Sequence, residues 1–467
     1  MKHLLNGQVQ SFLTAVRCDL SARALLITLL FASPTLAATA TQPSYIDLSP
    51  AKGVVYLPIK GNPVVAVLVM HRTMNFLTHP ACTELSKRGF LVLCMNSRFE
   101  NNEAQVRFEE LALDVKMGVE YLRNYPGIST ILLWGHSGGA PIMSFYSAVA
   151  EKGSAYCRDS ARLSPCNDPA LDHLPAIDGL ILTDGHPGNP TMVMRGLNPA
   201  VSVQSDGKLR IDPSLDALSV TNGFNRNGQS HYSSDFRSRF FAAQAGRMQS
   251  LIAQAQALRT EISKGQERYP DDDMYLIPGG GPPSGGITGA VHLYVLDPSI
   301  DEVMSTERPH RIILNNGQPT TAMIHSVFKA DPQSALLSRT FRYGTKQFTV
   351  SSFLSANAVR ATDSIAAIEE CSTNNSTLCA LPQVTVPLLV VGMGASILIR
   401  DAERFEAVAA SHDKELVYIE GANHWYAPCR ECGANPAAYE NATRNFFDYV
   451  SGWINRRFAK EAKSVGQ

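Results

Sequence analysis

Short, continuous apolar runs alternate along this chain with segments whose apolar residues recur every three to four positions. That is the pattern of strands buried on both faces and helices lying over them. It predicts strands over residues 64–70, 90–94, 130–134 and 180–183, separated by helices over 80–87, 104–121 and 140–150. After a long interval the rhythm resumes with a strand over 387–391, a helix over 401–410 and a strand over 416–419. A closing helix over 437–454 follows, capped by Asn435 with Pro436 at its first position. Strands and helices in alternation give an α/β fold with a doubly wound, mostly parallel sheet covered on both faces.

Residues 189–381 break the rhythm. They hold an amphipathic stripe of Phe241, Ala245, Met248, Ile252, Ala255 and Ile262, whose spacing suits a core-facing helix better than a lipid-binding one. A loop from Pro278 to Gly286 has no lysine or Ser/Thr in phosphate-loop register, which makes it a connector or lid hinge. Two β-like pieces follow, over 292–296 and over 311–327, the second turning at Asn315-Asn316-Gly317. The expected organisation is a core in two parts, 41–188 and 382–467, with a large cap or lid inserted over 189–381.

At 467 residues the chain is long for one core, which agrees with an insertion. Its 41 Lys and Arg against 42 Asp and Glu leave no clustered basic surface, which argues against nucleic acid and for a small ligand. Residues 1–40 read as a signal peptide: Lys2, Arg17 and Arg23 precede an apolar run over 24–37, too short to span a bilayer, and Ala38-Thr39-Ala40 offers small residues for cleavage. The expected destination is the periplasm or the exterior, with no stable membrane span after cleavage. Cysteine usage agrees. Without Cys18 eight remain, and they fall as sequence neighbours that local disulfides would join: 82 with 94, 157 with 166, 371 with 379, and 429 with 432. Cys429-Arg430-Glu431-Cys432 also resembles a redox or zinc half-site, but neither a thioredoxin-like context nor a second ligand pair accompanies it.

Chemistry enters at Trp134-Gly135-His136-Ser137-Gly138-Gly139. This G-x-S-x-G follows a strand and opens a helix, the setting in which a serine is thrust out on a strained turn. Ser137 is the expected nucleophile. A serine needs a base, and Gly421-Ala422-Asn423-His424, after the last strand, supplies His424. His71, His136 and His186 also sit near strand ends, as site residues or as satisfied structural ones. The acid is open. The stretch after the strand over 387–391 reads Gly392-Met393-Gly394-Ala395-Ser396 and holds no carboxylate. Asp184, at the end of the strand over 180–183, is the first choice, though it also suits a simple turn. Glu403 and Asp401 are the alternatives, at a helix start where acidic residues favour the dipole anyway. For the oxyanion hole the expected donors are the Gly138 N–H and a second from the loop Met70-His71-Arg72-Thr73, with Thr73 ahead of Arg72. Arg72 stands where glycine is usual and could instead meet a substrate carboxylate. No metal or organic cofactor is expected.

On these residues the chain resembles the α/β-hydrolase fold superfamily over about 50–188 and 382–458, with the elbow at 135–139, the oxyanion loop near His71 and the histidine loop at 421–424. It is also similar to secreted hydrolases with an E-G-A-x-H loop followed by a cysteine, here Glu420 to His424 and Cys429. The resemblance implies a hydrolase; taken with the leader, the cysteines and the expected serine and histidine, the reading is an exported serine hydrolase that cleaves a small-molecule carboxylic ester through an acyl-enzyme. An amidase or peptidase using the same residues, or a non-catalytic binding protein that keeps the elbow, are the alternatives. Neither the substrate nor the oligomeric state is legible.

Overall fold

The computed structural model describes residues 43–266, 272–280, 293–300, 302–329 and 344–458. The leader over 1–40, Cys18 and most of the glycine-proline loop lie outside them. A ten-stranded sheet runs through the molecule. It contains β1 (Ser44–Leu48), β2 (Ala51–Tyr56), β3 (Val65–His71), β4 (Leu91–Asn96), β5 (Thr130–His136) and β6 (Gly179–Thr183). After the short hairpin β7 (Val201–Val203) and β8 (Leu209–Ile211) and the strand β9 (Met274–Pro278), it takes up β10 (His310–Ile313) and β11 (Pro319–Ala322). Beyond β12 (Thr345–Thr349) come β13 (Leu388–Met393) and β14 (Lys414–Ile419). The order across the sheet is β1-β2-β4-β3-β5-β6-β13-β14-β10-β11. The strands from β4 to β10 run parallel, while β1, β2 and β11 close the edges antiparallel.

Each central strand is apolar along its length because both faces are covered. Ala66, Leu68 and Met70 of β3 join one core cluster, while Val65, Val67 and Val69 join the other. The first face is covered by α2 (Phe108–Arg123), α3 (Gly139–Lys152) and α6 (Ile399–Val408), the second by α1 (Pro80–Lys87) and α7 (Ala442–Phe458). This is the doubly wound sheet the alternation predicts. Burial of each large aliphatic side chain contributes about 1.5–3 kcal/mol, so the two faces hold most of the stabilisation. The antiparallel β1–β2 edge was not foreseen, since its residues alternate only weakly.

The insertion contributes to the main sheet as well as lying outside it. β10 pairs with β14, and the hairpin to β11 turns where Asn315-Asn316-Gly317 predicts, with Gly317 at φ 85°. Among its described residues the insertion also holds α4 (Asn189–Gly196), the long α5 (Ser234–Ser263), the β7–β8 hairpin and the β9–β12 pair. The α5 stripe is buried as core, with Ile262 at its partly buried end. Two expectations are corrected. Residues 293–296 form a helical turn, with Leu293, Tyr294 and Leu296 packed inward. The closing helix starts at Ala442: Asn435 caps only an isolated turn, accepting from Ala437 N at 3.0 Å.

All four local disulfides are present: Cys82–Cys94 between α1 and β4, Cys157–Cys166, Cys371–Cys379 and Cys429–Cys432. Among the described residues no helix is long and apolar enough to cross a membrane.

Candidate active site

Ser137 stands between the last residue of β5 and the first of α3 with φ at +54°, a left-handed conformation that costs a serine about 1–2 kcal/mol. Close packing explains the flanking glycines. A Cβ on Gly135 would lie 2.7 Å from Ala140 Cα, and one on Gly139 would lie 2.6 Å from Met70 O. The turn is therefore held by β3 and by the start of α3 pressing against it, and it leaves Ser137 8% exposed.

His424 reaches this point on the loop after β14. Gly421 and Tyr426 both take positive φ there, and the Asn423 side chain accepts from Trp425 N and Ala427 N. Tyr426 ties the loop to the sheet through its buried hydroxyl, 2.7 Å from Thr183 Oγ1 and 3.3 Å from Trp134 Nε1. The His424 ring lies 4.7 Å, centroid to centroid, from that of His136, beside the serine. Its Nδ1 is 2.6 Å from Asp184 Oδ2. Asp184 is buried, sits directly after β6 with φ +40°, and is anchored through its own N–H to Val391 O. An Nδ1 proton shared with a carboxylate leaves Nε2 as the basic atom of the ring. Among the described residues neither Nε2 nor Ser137 Oγ makes a hydrogen bond, and such a pair commonly closes only when substrate binds.

The other candidate acids are placed elsewhere. Glu403 accepts from His310 Nε2 at 2.8 Å and from the backbone of Glu307 and Arg308. Asp401 pairs with buried Arg195 at 2.9 Å. Both carboxylates knit the insertion to α6, which corrects their candidacy as orienters of His424.

Two further groups support this arrangement: Ser396, which is not among the expected site residues, and His136, for which the sequence leaves a site or a structural role open. Ser396 donates its hydroxyl to Asp184 Oδ2 at 2.9 Å. It ends the stretch Gly392-Met393-Gly394-Ala395-Ser396, which holds no carboxylate. His136 belongs to a relay. Ala81 N donates to His79 Nδ1 at 3.2 Å, His79 Nε2 lies 3.0 Å from His136 Nδ1, and His136 Nε2 lies 2.8 Å from His424 O. A carbonyl only accepts, so His136 carries its proton on Nε2, and its Nδ1 accepts a hydrogen bond from His79 Nε2–H. Both rings are neutral: burial drives His136 well below 6.5 and His79 down to about 3.

The oxyanion loop differs from expectation. Thr73 N–H donates to His71 Nδ1 at 3.2 Å and its hydroxyl donates to Glu103, so neither donor is left for a substrate. Arg72 is 3% exposed and forms an ion pair with Glu103, while its Nε and Nη1 are enclosed without partners. Gly138 remains at the start of α3, flanked by the rings of His71 and His186. Cys429, Glu431 and Cys432 are the only metal-type grouping among the described residues, and the bond between the two sulfurs removes the thiolates zinc needs. An open groove of about 1060 Å³, lined by Arg311, Glu415, Arg444 and Tyr449 among others, includes none of the residues around Ser137.

No family model and no curated protein matches the chain. Among solved structures it is similar to a hypothetical protein from Pseudomonas aeruginosa, at 12% identity over 93% of this chain and 99% of that one, with a TM-score of 0.41. It is similar to a soluble variant of monoglyceride lipase from Saccharomyces cerevisiae at 11% identity, over 90% and 96% of the chains, with a TM-score of 0.37. To a thermostable carboxyl esterase from Bacillus coagulans the values are 12%, 90%, 99% and 0.38. Likenesses of this size assign no activity. The α/β-hydrolase fold rests on the chain's own strand order, its elbow and the positions of its loops.

Proposed function

We propose that the protein is an exported serine hydrolase that cleaves a small-molecule carboxylic ester. Ser137 Oγ attacks the carbonyl carbon while His424 Nε2 takes its proton. The tetrahedral oxyanion collapses, the imidazolium returns the proton to the leaving alcohol, and an acyl-serine remains. Water then repeats the sequence and releases the acid. Asp184 holds His424 in the tautomer that exposes Nε2 and stabilises the transient positive charge. Gly138 N–H, at the start of α3, meets the oxyanion.

The observation that carries this reading is the 2.6 Å contact between His424 Nδ1 and Asp184 Oδ2, with the His424 ring against His136, the residue that precedes a serine held at positive φ. The non-catalytic alternative draws its force from the missing acid after β13, and the contacts of Asp184 with His424 and Ser396 favour the catalytic reading over it. Export draws support from the four disulfides, which persist in oxidising compartments. The test is turnover of a 4-nitrophenyl ester by the purified protein, with labelling by a fluorophosphonate. Ser137→Ala is expected to abolish labelling and to lower turnover by on the order of 10⁴ or more. Unchanged turnover in that variant sinks the reading, and faster cleavage of a matched anilide than of the ester would move it to amide hydrolysis.

A further inference from the structure

The oxyanion in the proposed reaction requires two donors, and the expected backbone donor, Thr73 N–H, is already spent on His71 Nδ1. That bond determines where the His71 proton is. Nδ1 accepts a second N–H, from Met74 at 3.0 Å, and an imidazole nitrogen accepting two donors carries no hydrogen of its own. The ring is neutral, because burial and then the neighbouring Arg72 charge push its pKa well below 6.5. Its one proton therefore resides on Nε2.

Nε2 faces the elbow. A Cβ built on Gly138 would lie 2.7 Å from it, with His186 Nε2 3.2 Å from the same point. Among the described residues no hydrogen bond uses His71 Nε2. It is also absent from the polar atoms sealed away without partners, a group that does include His186 Nδ1 and Arg72 Nε. A neutral N–H donor thus points over the residue whose own N–H is the first oxyanion donor. Its tautomer is locked from behind by two backbone groups.

We infer that His71 is a catalytic residue whose Nε2–H is the second donor of the oxyanion hole, a side-chain donor in place of a backbone one. The inference rests on the serine-hydrolase reading above. As Oγ bonds to the carbonyl carbon, the carbonyl π pair moves onto oxygen, and that oxygen accepts from Gly138 N–H and His71 Nε2–H. The His71 proton is shared but not transferred, and it is released when the carbonyl re-forms. A neutral imidazole suits the task, since its tautomer does not change with pH across the working range. Glycine at 138 follows too: any side chain there would displace the donor ring.

His71→Asn is the informative variant, because Asn Oδ1 can accept from Thr73 and Met74 as Nδ1 does, while nothing extends to the Nε2 position. Its kcat for a 4-nitrophenyl ester is expected to fall about 10²–10³-fold with KM within about threefold. Affinity for a trifluoromethyl ketone, whose hemiketal oxygen mimics the oxyanion, is expected to fall in parallel. Fluorophosphonate labelling should still reach one per chain, more slowly. A His71→Asn enzyme with kcat within twofold of the parent overturns the inference while leaving Ser137 in place. Failure of the parent itself to be labelled would overturn the serine-hydrolase reading and this inference together. Should the variant fold poorly, histidine ¹⁵N NMR of the unaltered protein decides: an Nε2–H tautomer whose proton moves downfield on adding the ketone is expected, and an Nδ1–H tautomer refutes the assignment.

Discussion

At the scale of single residues, the identity of a carboxylate turns on which side chain its neighbours leave free. Among the described residues the Asp184 carboxylate serves only His424 and Ser396, whereas Glu403 is committed to His310 and two backbone N–H groups. Asp184→Asn is therefore expected to lower kcat by about 10⁴, since an amide would favour the wrong tautomer, and Glu403→Gln to leave kcat within about twofold in the same ester assay. Ser396→Ala removes one hydrogen bond to a charged acceptor, worth roughly 1.5 kcal/mol or about tenfold in kcat. The buried histidines give a pH signature. His71, His79, His136 and His186 all have pKa values lowered chiefly by burial, so the unfolded chain binds protons below about pH 6.5 that the folded chain refuses. Stability is expected to fall as pH drops from about 6.5 toward 3, by up to about 1.4 kcal/mol per unit and per histidine, in denaturant titrations. A flat stability profile across that range would contradict the neutral assignment on which the relay and the His71 tautomer depend.

Among elements, the β5–α3 junction carries the site and tolerates little. Gly135→Ala would set a Cβ 2.7 Å from the Ala140 backbone, so the turn must open. Loss of ester turnover together with a lower melting temperature is expected, with the circular dichroism spectrum otherwise retained. The Cys82–Cys94 bond clips α1 to β4 across 12 residues, and closing a loop of that size stabilises by about 3 kcal/mol on the chain-entropy account. A Cys82→Ala, Cys94→Ala double variant should show that loss in urea unfolding and keep its kcat.

For the whole molecule, insertion and core share their packing: Leu163, Ile397 and Leu398 of the core lie in clusters with insertion residues, and β10 extends the main sheet. Such a body should unfold in one step. Separate transitions for insertion and core in calorimetry would argue otherwise.

Much of this protein was written locally. Strand and helix types followed from periodicity, because burial on both faces demands unbroken apolar runs. The serine and the histidine were legible from turn motifs at the ends of such runs, and the disulfides from short spacings that few geometries evade. Residues 293–296 are helical rather than extended because Leu293, Tyr294 and Leu296 all pack inward, and the closing helix starts only at Ala442, after an isolated turn at the exposed Asn435. The strand-end position puts Asp184 first among the acids, but what occupies Asp401 and Glu403, what makes Ser396 a partner of Asp184, and where the relay protons and the Thr73 N–H go are not written locally. Each is a competition for hydrogen-bond partners between groups far apart in the chain, and only the folded sheet, by bringing the ends of β3, β5, β6, β13 and β14 to one edge, decides who pairs with whom.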